Sequence, residues 1–260
     1  MKTKNGECVE KNVVVYHIVC EIKAFFREPV QTLCSFLLPA VILISSSLIW
    51  GNEIIEGFSY INFVLPGCFA LVIMTTSFYS LSVPYAKYKE LKVIVIVEAL
   101  PNGNSILIVA LAVSRALILL LQIILLVTIS SLMFTIVFNS LFKLFYAIIV
   151  SLLFFYFYSY IIAVVSKTSL FALTVANSLY VGLTFISGSF FSVRVLPSAV
   201  SYVAQIFPLY HIVQPIRRAW TGQSNTFSWY NIAVLLCWVI LGLVILTIYN
   251  RSEKRGNQNE

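Results

Sequence analysis

The sequence predicts an all-α integral membrane protein with six transmembrane helices, and three observations lead to this fold class. Of its 260 residues, 60% are hydrophobic and only 10% are charged, whereas soluble domains keep about 25% charged residues. Six uncharged stretches are close to the roughly 20 apolar residues that cross about 30 Å of hydrocarbon. The basic residues concentrate in alternate connections, as the positive-inside rule requires.

The six predicted spans share an apolar, uncharged sequence. They are Val30–Trp50, Phe58–Val83, Ala116–Phe138, Leu144–Val165, Phe171–Phe191 and Ile232–Tyr249. The third apolar run starts near Ile106 and is too long for one perpendicular crossing. We expect Arg115 to snorkel at the interface, with Ile106–Ser114 outside the hydrocarbon. The other reading makes Arg115 a functional charge inside the bundle.

Charge fixes the predicted orientation. Most of the 17 basic residues lie on one side when the N-terminus is inside, so both termini are expected in the cytoplasm. The same rule explains the net charge of +7 without a nucleic-acid partner. No internal repeat or linker divides the chain, so residues 1–260 are predicted to form one membrane domain.

Chemical groups that the chain lacks limit its function. It has no aspartate, no glycine followed by lysine and only two histidines, so we expect no catalytic, cofactor or metal site. A membrane enzyme is disfavoured for the same reason. A secondary transporter or channel, working without an ATPase, is the alternative, but charges within the spans or an inverted repeat would be expected of it.

Residues 13–28, before the first span, read as an amphipathic interfacial helix. Ile18, Ile22, Phe25 and Phe26 fall on one helical face, and Pro29 ends or kinks the helix. The helix is either a membrane anchor or a docking surface for a cytoplasmic partner, and these two roles are compatible.

Residues 84–101 and 187–220 are the other two segments of interest. The first is charged and long enough for a short helix projecting into the cytoplasm, and its other interpretation is a solvated basic loop. The second is aromatic but broken by glycine and prolines, which predicts a re-entrant pair of short helices that gates the outer side. Trp220 and Trp229 are expected to be interfacial anchors.

Together these features resemble the permease subunits of type-2 ABC exporters over nearly the whole chain. The matching motifs are Arg27-Glu28-Pro29, Phe63 leading to Pro66-Gly67, Lys89-Glu90 followed by Pro101, Ser187-Gly188 with Phe190-Phe191, Leu196-Pro197, and Pro208 leading to His211 and Arg217. The glycine that usually follows the acidic residue is absent here, where Leu91 and Lys92 stand instead.

The resemblance implies a mechanism and partners. Two permease chains, identical or homologous, form a pathway through the lipid of the bacterial cytoplasmic membrane, and two ATPase subunits carry the ATP and Mg²⁺. The residues implied in coupling to the ATPase are Arg27, Lys89, Glu90 and Pro101. Those implied in the extracellular re-entrant hairpin, or gate, are Gly188, Phe190, Phe191, Pro197, Pro208, His211 and Arg217.

The cargo implied is an amphipathic, peptide, drug or lipid-linked molecule. The aromatic run at residues 154–160 suits such a cargo, and it equally suits plain packing against lipid.

Overall fold

The computed structural model describes residues 4–27, 29–50, 53–55, 57–99, 103–134, 140–189, 198–223 and 226–257. Helices make up most of these residues. In chain order the elements are α1 (Lys4–Arg27), α2 (Pro29–Trp50), β1 (Ile54–Ile55), β2 (Phe58–Ser59), α3 (Tyr60–Glu90), α4 (Val93–Glu98), α5 (Gly103–Met133), α6 (Leu141–Val165), α7 (Ser169–Ile186), α8 (Ser198–Ile206), α9 (Tyr210–Thr221) and α10 (Trp229–Asn257).

Within the described residues, five helices are long and apolar enough to cross a bilayer, namely α3, α5, α6, α7 and α10. They confirm a helical membrane protein. The described apolar part of α2, Ser35–Trp50, is shorter, so the expected six-span layout stays a prediction. The two-residue strands β1 and β2, which pair antiparallel with Ile54 opposite Ser59, were not expected.

The helices extend beyond the predicted spans. Helix α3 continues to Glu90, past the expected end at Val83, and α5 begins at Gly103, well before Ala116. Hydropathy locates only the part of a helix that suits hydrocarbon, whereas the backbone hydrogen bonds continue into polar sequence. At the start of α6, the Ser140 hydroxyl caps the helix by accepting a hydrogen bond from the Lys143 backbone N–H.

Helix α3 is the centre of the bundle. It packs against α2, α5, α6, α7 and α9, and Phe63, Leu65, Phe69, Ile73 and Met74 are almost completely buried. A helix that is apolar all round is stable only when protein or lipid encloses it. Its two ends mark the two ends of the molecule, which we call the α9 end, at Tyr60, and the α4 end, at Glu90.

Helix α1 is present where the amphipathic helix was predicted, and α2 restarts at Pro29, the position where proline suits a first helical turn. The predicted apolar face is partly wrong. Phe25 and Glu21 are buried, whereas Phe26 is 50% exposed. The buried face packs on α5. The Glu21 carboxylate lies in that face because the Tyr88 hydroxyl donates a hydrogen bond to it.

Arg115 is buried in the structure. Only 7% of the residue is exposed, and its guanidinium lies over the Phe25 ring of α1 at 4.8 Å from the centroid. This burial was not predicted, because hydropathy along α5 contains no information about α1 covering that face. The two readings of Arg115, at the interface or as a charge inside the bundle, both stay predictions.

The segment 187–220 contains two short helices, α8 and α9, in its described part. Helix α9 packs against α3, α6 and α10, and its buried residues extend around most of its surface. The predicted interfacial role of Trp220 is therefore wrong, since it is 1% exposed, while Trp229 is 87% exposed. Trp220 is buried because its indole meets Phe69 edge to face at 5.6 Å.

Candidate functional site

The end of α3, the short connection and α4, residues 89–98, together form the elbow, which lies at the α4 end of the molecule. Lys92 has φ 58° and ψ 14°, the left-handed conformation that costs a non-glycine residue about 1–2 kcal/mol. Glycine would take this conformation without a steric penalty, so Lys92 is strained here.

Lys89 joins the elbow to two spans. Its ammonium donates a hydrogen bond to the Val164 carbonyl of α6 at 2.7 Å. It also lies 3.5 Å from the Tyr249 hydroxyl of α10 and 5.6 Å from the centroid of that ring. The lysine expected to face a partner protein thus binds its own bundle.

Glu90 joins the elbow to α7. Its Oε2 accepts hydrogen bonds from the Ser169 backbone N–H and hydroxyl, both at 2.9 Å. Ser169 is the first residue of α7, where an acidic group also favours the helix dipole. These hydrogen bonds hold the pKa of the exposed Glu90 carboxyl below its usual range.

Helix α4 has one anchored and one open face. Ile94 is 8% exposed and packs in a small cluster with residues of α3, α5 and α6. Leu91, Val95 and Ile96 are each more than 60% exposed. The elbow therefore presents an apolar surface outward while its inner side is fixed to the bundle.

At the α9 end, Arg217 connects three segments. Its Nε donates to the Phe63 carbonyl and its terminal amino group to the Gly188 carbonyl, each at 3.2 Å. Its guanidinium stacks on the Phe63 ring at 3.6 Å from the centroid. A buried arginine is stabilised by such a set of carbonyl acceptors and an aromatic face, so Arg217 fixes α9 to α3 and to the turn at 187–189.

That turn touches α3 at Gly67. A Cβ on Gly67 would lie 2.1 Å from the Ser189 backbone oxygen. Gly188, with φ 70°, makes the reversal that brings Ser189 so close. The Pro-Gly pair in α3 thus has a steric reason, because only glycine lets the two backbones approach.

His211 is completely buried beneath the same region. Its Nε2 donates to the Gln205 carbonyl at 2.7 Å, and its Nδ1 faces the Asn231 side-chain amide at 3.1 Å. A neutral ring with its proton on Nε2 donates to the Gln205 carbonyl, and its Nδ1 accepts a hydrogen bond when the Asn231 amide presents its nitrogen. The ring links α8, α9 and α10 as a structural residue.

A cavity of about 480 Å³ lies between α1, α2, α3, α5 and α7, a size typical of small-molecule sites. Leu38 of α2 and Leu173 and Asn177 of α7 border its open side with exposed side chains. Arg115 and Gln122 of α5 form its inner wall.

Three hydrogen bonds connect the helices that line the cavity. The Thr76 hydroxyl donates to the Gln122 Oε1 at 2.9 Å, and the Gln122 amide donates to the Ser35 carbonyl at 3.2 Å. The Tyr79 hydroxyl donates to the Asn177 Oδ1. The cavity is therefore a mostly apolar space with a small number of polar groups in its walls, which suits an amphipathic guest.

The remaining predicted site residues fall in two groups. Arg27 is exposed at the end of α1, and Pro208 is buried before α9. Those that lie outside the described residues are Pro101, Phe190, Phe191 and Pro197. Prediction from sequence gave no role to Gln122, Tyr79 and Asn177, and the available signal was the presence of uncharged polar groups within otherwise apolar spans.

Comparison with known proteins agrees with this architecture. A family model described as "ABC-2 type transporter" matches residues 16–220, which includes the second half of α1, the elbow, the cavity and nearly all of α9. A comparison with curated proteins found no match. The match covers most of the chain, so this protein belongs to the ABC-2 type transporter family and is a membrane component of an ABC transporter.

Proposed function

We propose that the chain is the transmembrane subunit of an ATP-driven exporter, with both termini in the cytoplasm of a bacterium. Two such chains, identical or homologous, form the pathway, and two separate ATPase subunits supply ATP hydrolysis. The cargo is an amphipathic, peptide, drug or lipid-linked molecule. Family membership favours this function over a secondary transporter or channel.

The observation that carries the proposal is the attachment of the elbow. The elbow presents Leu91, Val95 and Ile96 outward, at the end of the molecule where α1 contacts Tyr88 and the later part of α10 contacts Lys89. Exposed apolar groups beyond a membrane span favour a protein partner. An ATPase that binds α4 would act directly on α6, α7 and α10, because Lys89 and Glu90 bind those helices.

The energetic requirement is differential binding. ATP drives transport only if the ATPase binds one conformation of this chain better than another. The hydrogen bonds of Lys89 and Glu90 make displacement of the elbow a displacement of three span ends. The cavity, bordered by α7, changes shape in such a movement.

The test is reconstitution of the chain in liposomes with its ATPase, with cargo exported per ATP hydrolysed as the readout. Glu90→Ala is expected to lower this ratio several-fold while ATP hydrolysis continues. Glu53→Ala removes an exposed carboxylate before β1, at the α9 end, and is expected to leave the ratio unchanged. Export by the wild-type chain without an ATPase would overturn the proposal, as would equal ratios for the two variants.

A further inference from the structure

The buried charge in the cavity narrows the class of ligand. Arg115 lies in the wall, and a guanidinium has five N–H donors in a rigid plane. The Phe25 ring beneath it fixes the orientation of that plane. Arg115 is the one charged residue among the described side chains that line the cavity, which favours an anionic group on the ligand, above all a carboxylate or phosphate.

The charge sits at one end of the cavity. Arg115 and Gln122 are seven residues apart on α5, so the polar floor extends about 10 Å along the helix at 1.5 Å per residue. Arg115 marks the α4 end. At the other end the cavity narrows to a crevice of about 10 Å³, which shares Leu38 and Tyr180 with it and is lined by Leu71 and Cys68. One end is thus cationic and the other largely apolar.

A carboxylate of the protein lies in the same corner. Glu21 is buried one helical turn before Phe25, and the Tyr88 hydroxyl donates to its Oε1 at 2.7 Å. Arg115 is close enough to Tyr88 to interact with it electrostatically. Because both groups act on Tyr88, the Glu21 carboxylate lies near Arg115 and opposes the binding of an acidic ligand there.

We propose that the cavity binds an amphipath with an acidic head, the head on Arg115 and the apolar body between α2 and α7, away from the α4 end. This inference rests on the proposed transport function for its biological meaning, but binding itself requires no ATPase. The cavity volume suits a single-chain molecule. A two-chain lipid would leave one chain outside, at the border formed by Leu38 and Leu173.

The test compares three probes that share one chain and differ in the head: dodecanoate, dodecanol and dodecylammonium. Each displaces a dansyl-labelled fatty acid from the full-length chain in phosphatidylcholine nanodiscs. Dodecanoate is expected to bind about tenfold or more tightly than dodecanol, and dodecylammonium more weakly than either, given the strength of a buried charge-assisted hydrogen bond. Equal affinities for dodecanoate and dodecanol would overturn the proposal without any mutation.

Two substitutions with opposite expected effects test the assignment to Arg115. Arg115→Gln is expected to abolish the preference for the acid, and Glu21→Gln to increase dodecanoate affinity several-fold by removing the opposing charge. Arg251→Gln removes an exposed cation from α10 and serves as the matched control. Dodecanoate binding that weakens in Glu21→Gln, or that falls equally in Arg115→Gln and Arg251→Gln, contradicts the proposed site.

Two further experiments decide whether the bound acid is a resident membrane lipid or transported cargo. An acidic lipid that co-purifies with the wild-type chain, and is lost from Arg115→Gln on mass spectrometry, identifies a resident membrane lipid. ATP-dependent movement of dodecanoate by the reconstituted complex identifies cargo. If the complex transports nothing while dodecanoate is still preferred in nanodiscs, the proposed transport function is contradicted and the proposed binding site is supported.

Discussion

Substituting Gly67 by alanine perturbs the closest backbone contact between α3 and the turn at 187–189. The new Cβ would lie 2.1 Å from the Ser189 oxygen, 2.9 Å from its carbonyl carbon and 3.2 Å from its Cα. The atoms struck belong to the backbone, so no rotamer change relieves the overlap. The turn would have to move by more than about 1 Å to reach the ordinary 3.4 Å contact, which would strain the Arg217 hydrogen bond to Gly188.

The magnitude follows from two opposing effects. Overpacking a core costs about 1–3 kcal/mol, and more where the backbone must shift. Alanine in a helix interior recovers about 1 kcal/mol relative to glycine. The net loss expected for Gly67→Ala is about 2 kcal/mol, which lowers Tm by about 4–8 °C for a chain of this size.

The assay is thermal unfolding in detergent, followed by tryptophan fluorescence, with Gly182→Ala as the matched control. Gly182 also lies within a helix, but a Cβ there meets nothing within 4 Å, so its substitution is expected to leave Tm unchanged or slightly raised. A Gly67→Ala variant as stable as Gly182→Ala would refute the contact as the reason for glycine at this position.

Four further measurements test the elbow and the α9 end. Lys92→Gly is expected to raise the unfolding free energy by about 0.5–1 kcal/mol, because it relieves the left-handed strain, and an unchanged Tm contradicts that strain. Arg217→Lys is expected to lose about 2 kcal/mol, since lysine cannot reproduce the two carbonyl hydrogen bonds and the stacking, whereas Arg218→Lys should stay within about 0.5 kcal/mol of wild type. His211→Phe leaves a buried carbonyl and a buried amide unpaired and should cost about 2 kcal/mol by the same Tm measurement. The folded-state pKa of Glu90 is lowered. Its hydrogen bonds to Ser169 are therefore present above the ordinary carboxyl pKa of 4.5 and are lost as the pH falls through the lower folded value. The Tm difference between wild type and Glu90→Gln should vanish only in acid.

Composition and hydropathy were sufficient to predict a helical membrane bundle, because helical backbone hydrogen bonding in lipid leaves few other solutions. The short helices α8 and α9 were also predictable, since proline and glycine act locally. The two-residue strands were not, because so short a pairing leaves no periodicity to detect.

The errors concern which residues face one another. Arg115 and Trp220 belong to types that favour interfaces, and both are buried because helices distant in sequence cover them, α1 in one case and α3 in the other. The pairing of Glu21 with Tyr88 joins positions 67 residues apart. Such contacts depend on tertiary packing, which periodicity along one helix does not encode.

Helix α3 runs from the α9 end to the α4 end of the molecule. Its 31 residues span about 46 Å at 1.5 Å per residue, longer than the hydrocarbon core of about 30 Å. Its two internal prolines, Pro66 and Pro84, lie near the contacts of Gly67 and of Lys89 respectively. Proline removes a helical hydrogen bond and favours bending, so we expect any bending of α3 to concentrate at these two positions. Thr76 and Tyr79 lie between them and line the cavity, so a movement of the elbow that tilts this segment would change the shape of the cavity.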